Sequence, residues 1–210
     1  MKINAVSVKV SQFPLLILLT TSTLILIWFR KGLMLAAGEN AILFDRVERL
    51  LGLKFAWVNV GAGGHNPVGA SSVPFYMAVS ALVNLGVSGV VIQALTFWGI
   101  LTVGGLATYY LVYDVIKGER RTLAALTAGL FYILNPYALF NVWNRFQYTF
   151  IFFYGGIPLV LFLYARGLEL KKPIYAVYAN FASLIFVYAY GSAPLIGTFW
   201  LLLIFFTILY

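Results

Sequence analysis

Long apolar runs without a charged side chain dominate this chain. Residues 10–29, 73–113, 122–144, 146–165 and 173–210 contain no Asp, Glu, Lys or Arg. A helix needs about 20 apolar residues to cross the hydrocarbon core of a bilayer, where backbone polar groups must pair within the segment. The runs lack the ten-residue alternation that is typical of a membrane β-barrel. The pattern therefore predicts an all-α fold, a polytopic bundle of transmembrane helices.

Residues 1–210 are predicted to form one transmembrane domain with six spans. The spans are expected at 13–29, 90–113, 123–140, 148–164, 173–190 and 195–210. The run 73–113 is too long for one span and is divided by Gly86 and Gly89, so residues 74–85 are expected to form a short interfacial helix. Proline is expected to kink or end a span, above all at Asn135–Pro136.

The two ends of the chain carry separate expectations. Arg30 and Lys31 follow the first apolar run with no small-residue cleavage site between, which favours a retained anchor over a removed signal peptide. The last run stops without a polar flank or a basic anchor. We therefore expect a C-terminal truncation, with a missing C-terminal half or a partner subunit completing the protein.

Composition narrows the class of protein further. Of the 210 residues 62% are hydrophobic and 10% charged, whereas soluble domains are about 25% charged. This excludes a soluble enzyme. The net charge of +8 comes from basic residues that flank apolar runs, so membrane lipids are the expected partners and nucleic acid is not. The absence of Cys excludes disulfides, thiol catalysis and thiolate zinc sites.

Residues 30–72 form the one long polar connection and hold half of the acidic residues. Within it, residues 41–53 place Leu43, Val47 and Leu50 on one helical face, with Asp45 and Arg49 on the other. This pattern predicts an amphipathic helix that lies in the membrane interface. Such a long loop is usually functional or disordered. Because this loop is neither acid-rich nor repetitive, its sequence does not favour disorder.

Two acids in this loop are candidate catalytic residues. Glu39 precedes the predicted helix, where a carboxylate either serves in catalysis or stabilises the positive end of the helix dipole. Asp45 is the alternate candidate, although Arg49 stands four residues later in the favourable order for an ion pair on a wet helix face. The sequence leaves both interpretations open.

Four further residues are candidates for substrate binding. His65 and Asn66 lie in GAGGHNPVG, whose glycines allow tight turns and close approach to a ligand, or form a plain connector. The segment is neither a P-loop nor a dinucleotide fingerprint, and the single histidine cannot build a strong metal site. Asn144 and Arg145 are either an interfacial anchor among aromatic residues or a contact to an anionic lipid phosphate.

The basic residues give a weak indication of orientation. If 73–113 crosses once and the N-terminus is cytoplasmic, eight basic residues lie inside and six outside. If 73–113 crosses twice and the N-terminus is external, eleven basic residues lie inside and three outside, but one span is then very short. We expect the single crossing, which places 30–72 and Arg145 on the external side.

The order of these parts resembles the N-terminal half of the GT-C membrane glycosyltransferases, particularly arabinofuranosyltransferase-like and related uncharacterised multi-spanning members. The resemblance spans nearly the whole chain and depends more on architecture than on residue identity. The segments that carry it are GENAILFDRVERLLGL (38–53), GAGGHNPVG (61–69), VPFYMAVSALVNLG (73–86) and LNPYALFNVWNRFQY (134–148).

The resemblance implies a GT-C-like fold and a reaction. The donor would be a sugar on a polyprenyl or dolichyl phosphate, and an acid of the first external loop would activate the acceptor with inversion of the anomeric centre. By position that acid is Glu39, with Asp45 as alternate, although many members have Asp where this chain has Glu39. Some members use a divalent cation and others do not. The implied location is the cell membrane, in the biosynthesis of the cell envelope.

Two other classes of function stay open at this point. A transporter or channel subunit would have charges or broken helices near the middle of its spans, often in repeated halves, and only Asn135–Pro136 fits that description. A non-catalytic membrane scaffold or an inactive enzyme fragment is the other alternative.

Overall fold

A computed structural model describes residues 12–35, 73–144, 148–184 and 193–209. Every regular element in these ranges is a helix, which confirms the all-α prediction for them. The helices are α1 (Gln12–Thr23), α2 (Val73–Asn84), α3 (Gly89–Val115), α4 (Arg121–Leu134), α5 (Tyr148–Leu170), α6 (Ile174–Ser183) and α7 (Ala193–Leu209). A 3₁₀ helix (Leu24–Phe29) extends α1, and a short turn (Pro136–Ala138) and a π-helical segment (Leu139–Asn144) follow α4.

Four helical stretches in the described residues are long and apolar enough to cross a membrane. They are Gln12–Phe29, Gly89–Val115, Arg121–Val142 and Phe150–Leu170. The predicted spans at 173–190 and 195–210 correspond to α6, with 10 residues, and α7, with 17 residues. At 1.5 Å per residue these described helices reach about 15 and 25 Å, against a ~30 Å hydrocarbon core, and the two spans stay predictions. The predicted interfacial helix at 41–53 lies outside the described residues.

Helix α3 is the central element of the bundle. Its residues are apolar on all sides, and more of it is buried than of any other candidate span in the described residues. Phe97 and Tyr109 on α3 are fully buried. Because α1, α4 and α5 all pack on α3, this helix sets their positions.

Contacts across the bundle define its two ends. Helix α5 runs parallel to α3, since Gly104 lies beside Gly155 and the ring of Tyr110 lies 5.9 Å from that of Phe162. Helix α4 runs antiparallel to both. We call the end where α3 begins the Gln93 end. We call the opposite end, where α3 and α5 finish and α4 begins, the basic end.

A short helix precedes α3 and is joined to it by a tight turn. Gly86 adopts φ +85° in this turn, a conformation that glycine accepts without strain. The predicted division of the run 73–113 near Gly86 is confirmed. The start of α2 approaches α5, because the ring centroids of Phe75 and Phe152 lie 5.0 Å apart in an edge-to-face arrangement. The location of α2 at a membrane interface stays a prediction.

Candidate functional site

Most of the residues predicted to act in chemistry lie outside the described part of the chain. Asn144 is described, and its side chain is exposed at the end of the π-helical segment. The other five predicted site residues lie outside the described ranges: Glu39, Asp45, His65, Asn66 and Arg145. Their roles stay predictions, and the described bundle shows how the chain enters and leaves the segments that carry them.

Gln93 fixes the backbone at the exit from the first span. Its side-chain oxygen accepts a hydrogen bond from the Leu35 N–H at 2.8 Å, and its side-chain nitrogen donates to the Leu35 carbonyl at 2.8 Å. The Gln93 side chain is fully buried, so an apolar residue there would leave both backbone groups without these partners. The contact holds Leu35, four residues before Glu39, against the start of α3.

A proline two residues beyond the end of α4 leaves a carbonyl of that helix without its usual donor. In a helix the carbonyl of Tyr132 would accept from the N–H of residue 136, but Pro136 has none. The hydroxyl of Tyr154 on α5 donates to this carbonyl at 2.6 Å, and the Asn135 side chain donates to it at 3.1 Å. A side chain from another helix thus replaces the missing backbone donor.

A side chain of α4 likewise replaces a backbone donor that is missing in α5. Pro158 lies inside α5, so the Tyr154 carbonyl lacks its helical donor for the same reason. The Tyr132 hydroxyl donates to the Tyr154 carbonyl at 2.6 Å. The two tyrosine rings stack with their centroids 4.2 Å apart. We call Tyr132, Pro136, Tyr154 and Pro158 the tyrosine–proline lock.

Asn135 completes the polar network beside the lock. Its backbone is extended, with ψ 162°, as expected for a residue that precedes proline. Its side-chain oxygen accepts from the Ala138 N–H at 3.0 Å, and its side-chain nitrogen donates to the Tyr154 hydroxyl. The break predicted at Asn135–Pro136 is therefore confirmed, and side chains bond the Tyr132 carbonyl before it and the Ala138 N–H after it.

The lock makes a prediction that a double-mutant cycle can test. Tyr132→Phe removes the donor to the Tyr154 carbonyl, and we expect a loss of about 1–2 kcal/mol in stability because that acceptor then has no partner. In a Pro158→Ala background the new N–H of residue 158 can bond that carbonyl. The loss caused by Tyr132→Phe should then fall to less than half, as measured by unfolding in detergent.

Pro136→Ala provides the matched control for this cycle. It replaces the other proline without adding a donor for the Tyr154 carbonyl, so it should not reduce the cost of Tyr132→Phe. An equal cost of Tyr132→Phe in all three backgrounds would show that the hydroxyl does not replace the donor missing at Pro158.

A charged pair lies at the basic end of the bundle. Arg166 on α5 contacts Asp114 on α3 through two nitrogens, with Nε–Oδ2 at 2.6 Å and Nη2–Oδ1 at 3.0 Å. Both side chains are partly buried. Paired, bidentate geometry is what allows a carboxylate and a guanidinium to lie near the hydrocarbon region. The pair joins the ends of two parallel helices.

Of these residues the sequence predicted a special position only for Asn135 and Pro136, and not for Gln93, for the two tyrosines or for the ion pair. The charge-free runs 73–113 and 146–165 end directly at Asp114 and Arg166, and this shared position was the available signal for the ion pair. Gln93 is the one glutamine inside the apolar run 73–113, which marks it as a polar residue that needs a partner. Nothing in the sequence indicates which backbone groups it would bind.

The described residues contain no group of three or more His, Asp or Glu side chains that could hold a metal ion. The predicted acids Glu39 and Asp45 are outside those residues. The resemblance leaves the use of a divalent cation open, and the described residues do not test it.

Comparison of the chain with protein-family models, with curated proteins and with solved structures finds no match. A function for this protein is therefore inferred from its own residues.

Proposed function

We propose that this protein is an integral membrane glycosyltransferase of the GT-C type. It would transfer a sugar from a polyprenyl- or dolichyl-phosphate donor to an acceptor on the external side, with inversion of the anomeric centre. The observation that carries the proposal is that the described flanks of the segments with the predicted site residues all lie at the Gln93 end.

The flanks can be followed one at a time. Leu35, held by Gln93, leads into residues 36–72, which contain Glu39, Asp45, His65 and Asn66. Helix α2 leads out of that segment and contacts the first turns of α5 through Phe75. The π-helical segment after α4 ends at Asn144, next to Arg145. This convergence supports one site built from residues distant in sequence.

The chemistry requires such a convergence at the membrane surface. The lipid tail of the donor stays in the bilayer while its sugar phosphate lies at the interface, so the acid and the cation must act at that depth. Glu39 would take the proton of the acceptor hydroxyl as that oxygen attacks the anomeric carbon. The bond to the phosphate would break, and Arg145 would stabilise the charge on the departing lipid phosphate.

Transport is less well supported by the described helices. Broken helices in transporters present free backbone groups to a substrate or ion near the middle of the membrane. Here the carbonyls freed by Pro136 and Pro158 accept hydrogen bonds from Tyr154 and Tyr132. A substrate would have to displace these hydroxyls before it could reach either carbonyl.

The proposal makes a prediction about orientation. Single cysteines at positions 39 and 117 should react with an impermeant maleimide from opposite sides of sealed vesicles, because Leu35 and Lys117 flank opposite ends of α3. The chain has no native Cys, so each variant carries one thiol. Labelling of both positions from the same side would contradict a site at the external Gln93 end.

The activity itself is tested with the full chain in membranes. We expect membranes that contain the protein to convert a radiolabelled polyprenyl-phosphate sugar into a glycosylated acceptor and free polyprenyl phosphate. Membranes from the same host without the protein are the control. Equal donor consumption in both preparations would contradict the proposed transferase activity.

A further inference from the structure

A cavity of about 450 Å³ opens at the basic end, between the ends of α3 and α5 and the side of α7. This volume is in the range of small-molecule sites. Apolar side chains form much of its wall, among them Leu111, Phe162 and Phe206, whereas charged residues cluster at the helix ends. The cavity therefore has the two-part chemistry of a lipid, with an apolar side and a polar side.

The charges around the cavity are unevenly paired. Its lining includes Asp114, Glu169, Arg166, Lys117 and Lys171. Asp114 and Arg166 neutralise each other through their bidentate contact. In the described part of the chain neither lysine forms an ion pair, although the Lys117 side chain donates to the backbone carbonyl of Asp114. Two exposed ammonium groups and the Glu169 carboxylate thus remain to meet a ligand.

Lys171 occupies a backbone position that normally takes glycine. It has φ +52°, and it follows α5 in a motif where the Lys172 N–H bonds the Gly167 carbonyl at 3.2 Å and the Lys171 N–H bonds the Leu168 carbonyl at 3.3 Å. Helices commonly place glycine at this left-handed position because a side chain there is unfavourable. The motif holds the start of the Lys171 side chain at the cavity.

We propose that this cavity binds the headgroup of an anionic phospholipid. Lys117 and Lys171 would contact the phosphodiester, and the first acyl methylenes would lie on Phe162 and Phe206. The apolar wall favours a lipid over a free phosphate, because a soluble anion would gain nothing from these side chains. The site is at the opposite end of the bundle from the proposed sugar-transfer site, so either proposal can fail without the other.

Native mass spectrometry of the full chain in detergent tests the proposal. The probes are phosphatidylglycerol and phosphatidylcholine with identical acyl chains, together with free glycerol 3-phosphate as a competitor. We expect phosphatidylglycerol to be retained in preference to phosphatidylcholine. Lys171→Gly and Lys117→Gln should each weaken phosphatidylglycerol binding about fivefold, the effect expected for one cation near an anionic lipid.

The substitution at Lys171 separates binding from folding. Glycine is the favoured residue at a left-handed position, so Lys171→Gly should fold at least as well as the wild-type chain. Lys172→Gly is the matched control, since it removes the same charge from a neighbour that does not line the cavity. It should leave phosphatidylglycerol binding unchanged.

Three results would overturn the proposal. One is equal retention of the two lipids by the wild-type chain. Another is a loss of phosphatidylglycerol binding in Lys172→Gly as large as that in Lys171→Gly. The third is displacement of bound lipid by glycerol 3-phosphate at equal concentration, which would show that the apolar wall of the cavity contributes nothing to binding.

Discussion

Gly155→Val is expected to disrupt the packing of α5 on α3. A Cβ atom at residue 155 would lie 2.2 Å from Ile100 Cγ2 and 2.7 Å from the Ile100 carbonyl oxygen. The oxygen belongs to the backbone of the central helix and cannot rotate away, and Ile100 is buried. Overpacking of this kind costs about 3 kcal/mol or more, at the upper end of its usual range.

The measurement is the thermal stability of the purified protein in detergent. A loss of this size should lower the midpoint by roughly 10 °C. Gly197→Val on α7 is the matched control, because a Cβ there meets no atom within 4 Å. Equal melting of the two variants would contradict the close contact of α3 and α5. In the milder variant Gly155→Ala, the added Cβ meets both the side chain and the carbonyl oxygen of Ile100. Ile100→Ala removes only the side-chain clash, so it should restore only part of the lost stability.

Glu39→Gln is expected to lower sugar transfer at least a hundredfold. The substitution keeps the size and hydrogen-bonding capacity of the side chain but removes the basic oxygen that would take the acceptor proton. General base catalysis contributes roughly 10²–10⁴-fold. The rate of transfer from a polyprenyl-phosphate sugar, normalised to the amount of protein in the membranes, is the measurement.

Two further substitutions interpret that result. Glu48→Gln makes the same chemical change in the same segment and should leave the rate within twofold of wild type. Asp45→Asn tests the alternate base: if Asp45→Asn abolishes transfer while Glu39→Gln does not, the catalytic acid is Asp45. Full activity in both variants would show that neither Glu39 nor Asp45 is the catalytic base.

Local chemistry made some parts of the fold predictable. The turn at Gly86 and the break at Asn135–Pro136 follow from residues that restrict or free the backbone in the same way in any protein. The central span at 90–113 lies within the observed Gly89–Val115, because an apolar run bounded by polar residues has few other solutions. These features depend on neighbours in sequence.

Other features could not be read from the sequence because they depend on a second helix. The proline at 158 shows that the Tyr154 carbonyl lacks a donor, but only the structure, which stacks the Tyr132 ring on that of Tyr154, reveals that Tyr132 supplies it. Within the run 173–190, Asn180 and Ser183 donate to backbone carbonyls of their own helix, and neither predicts that α6 ends at Ser183. The predicted site residues in 36–72 rest on sequence alone, since that segment lies outside the described residues.

The tyrosine–proline lock has a consequence for how this sequence can change over time. Replacing Tyr132 alone strands an acceptor on the other helix, and replacing Pro158 alone makes the Tyr132 hydroxyl redundant. Tyr132 is thus neutral to lose only after Pro158 has gone, 26 positions away in the numbering, whereas Pro158 can be replaced first. We expect diverged copies of this chain to have lost Tyr132 only where Pro158 has been lost as well.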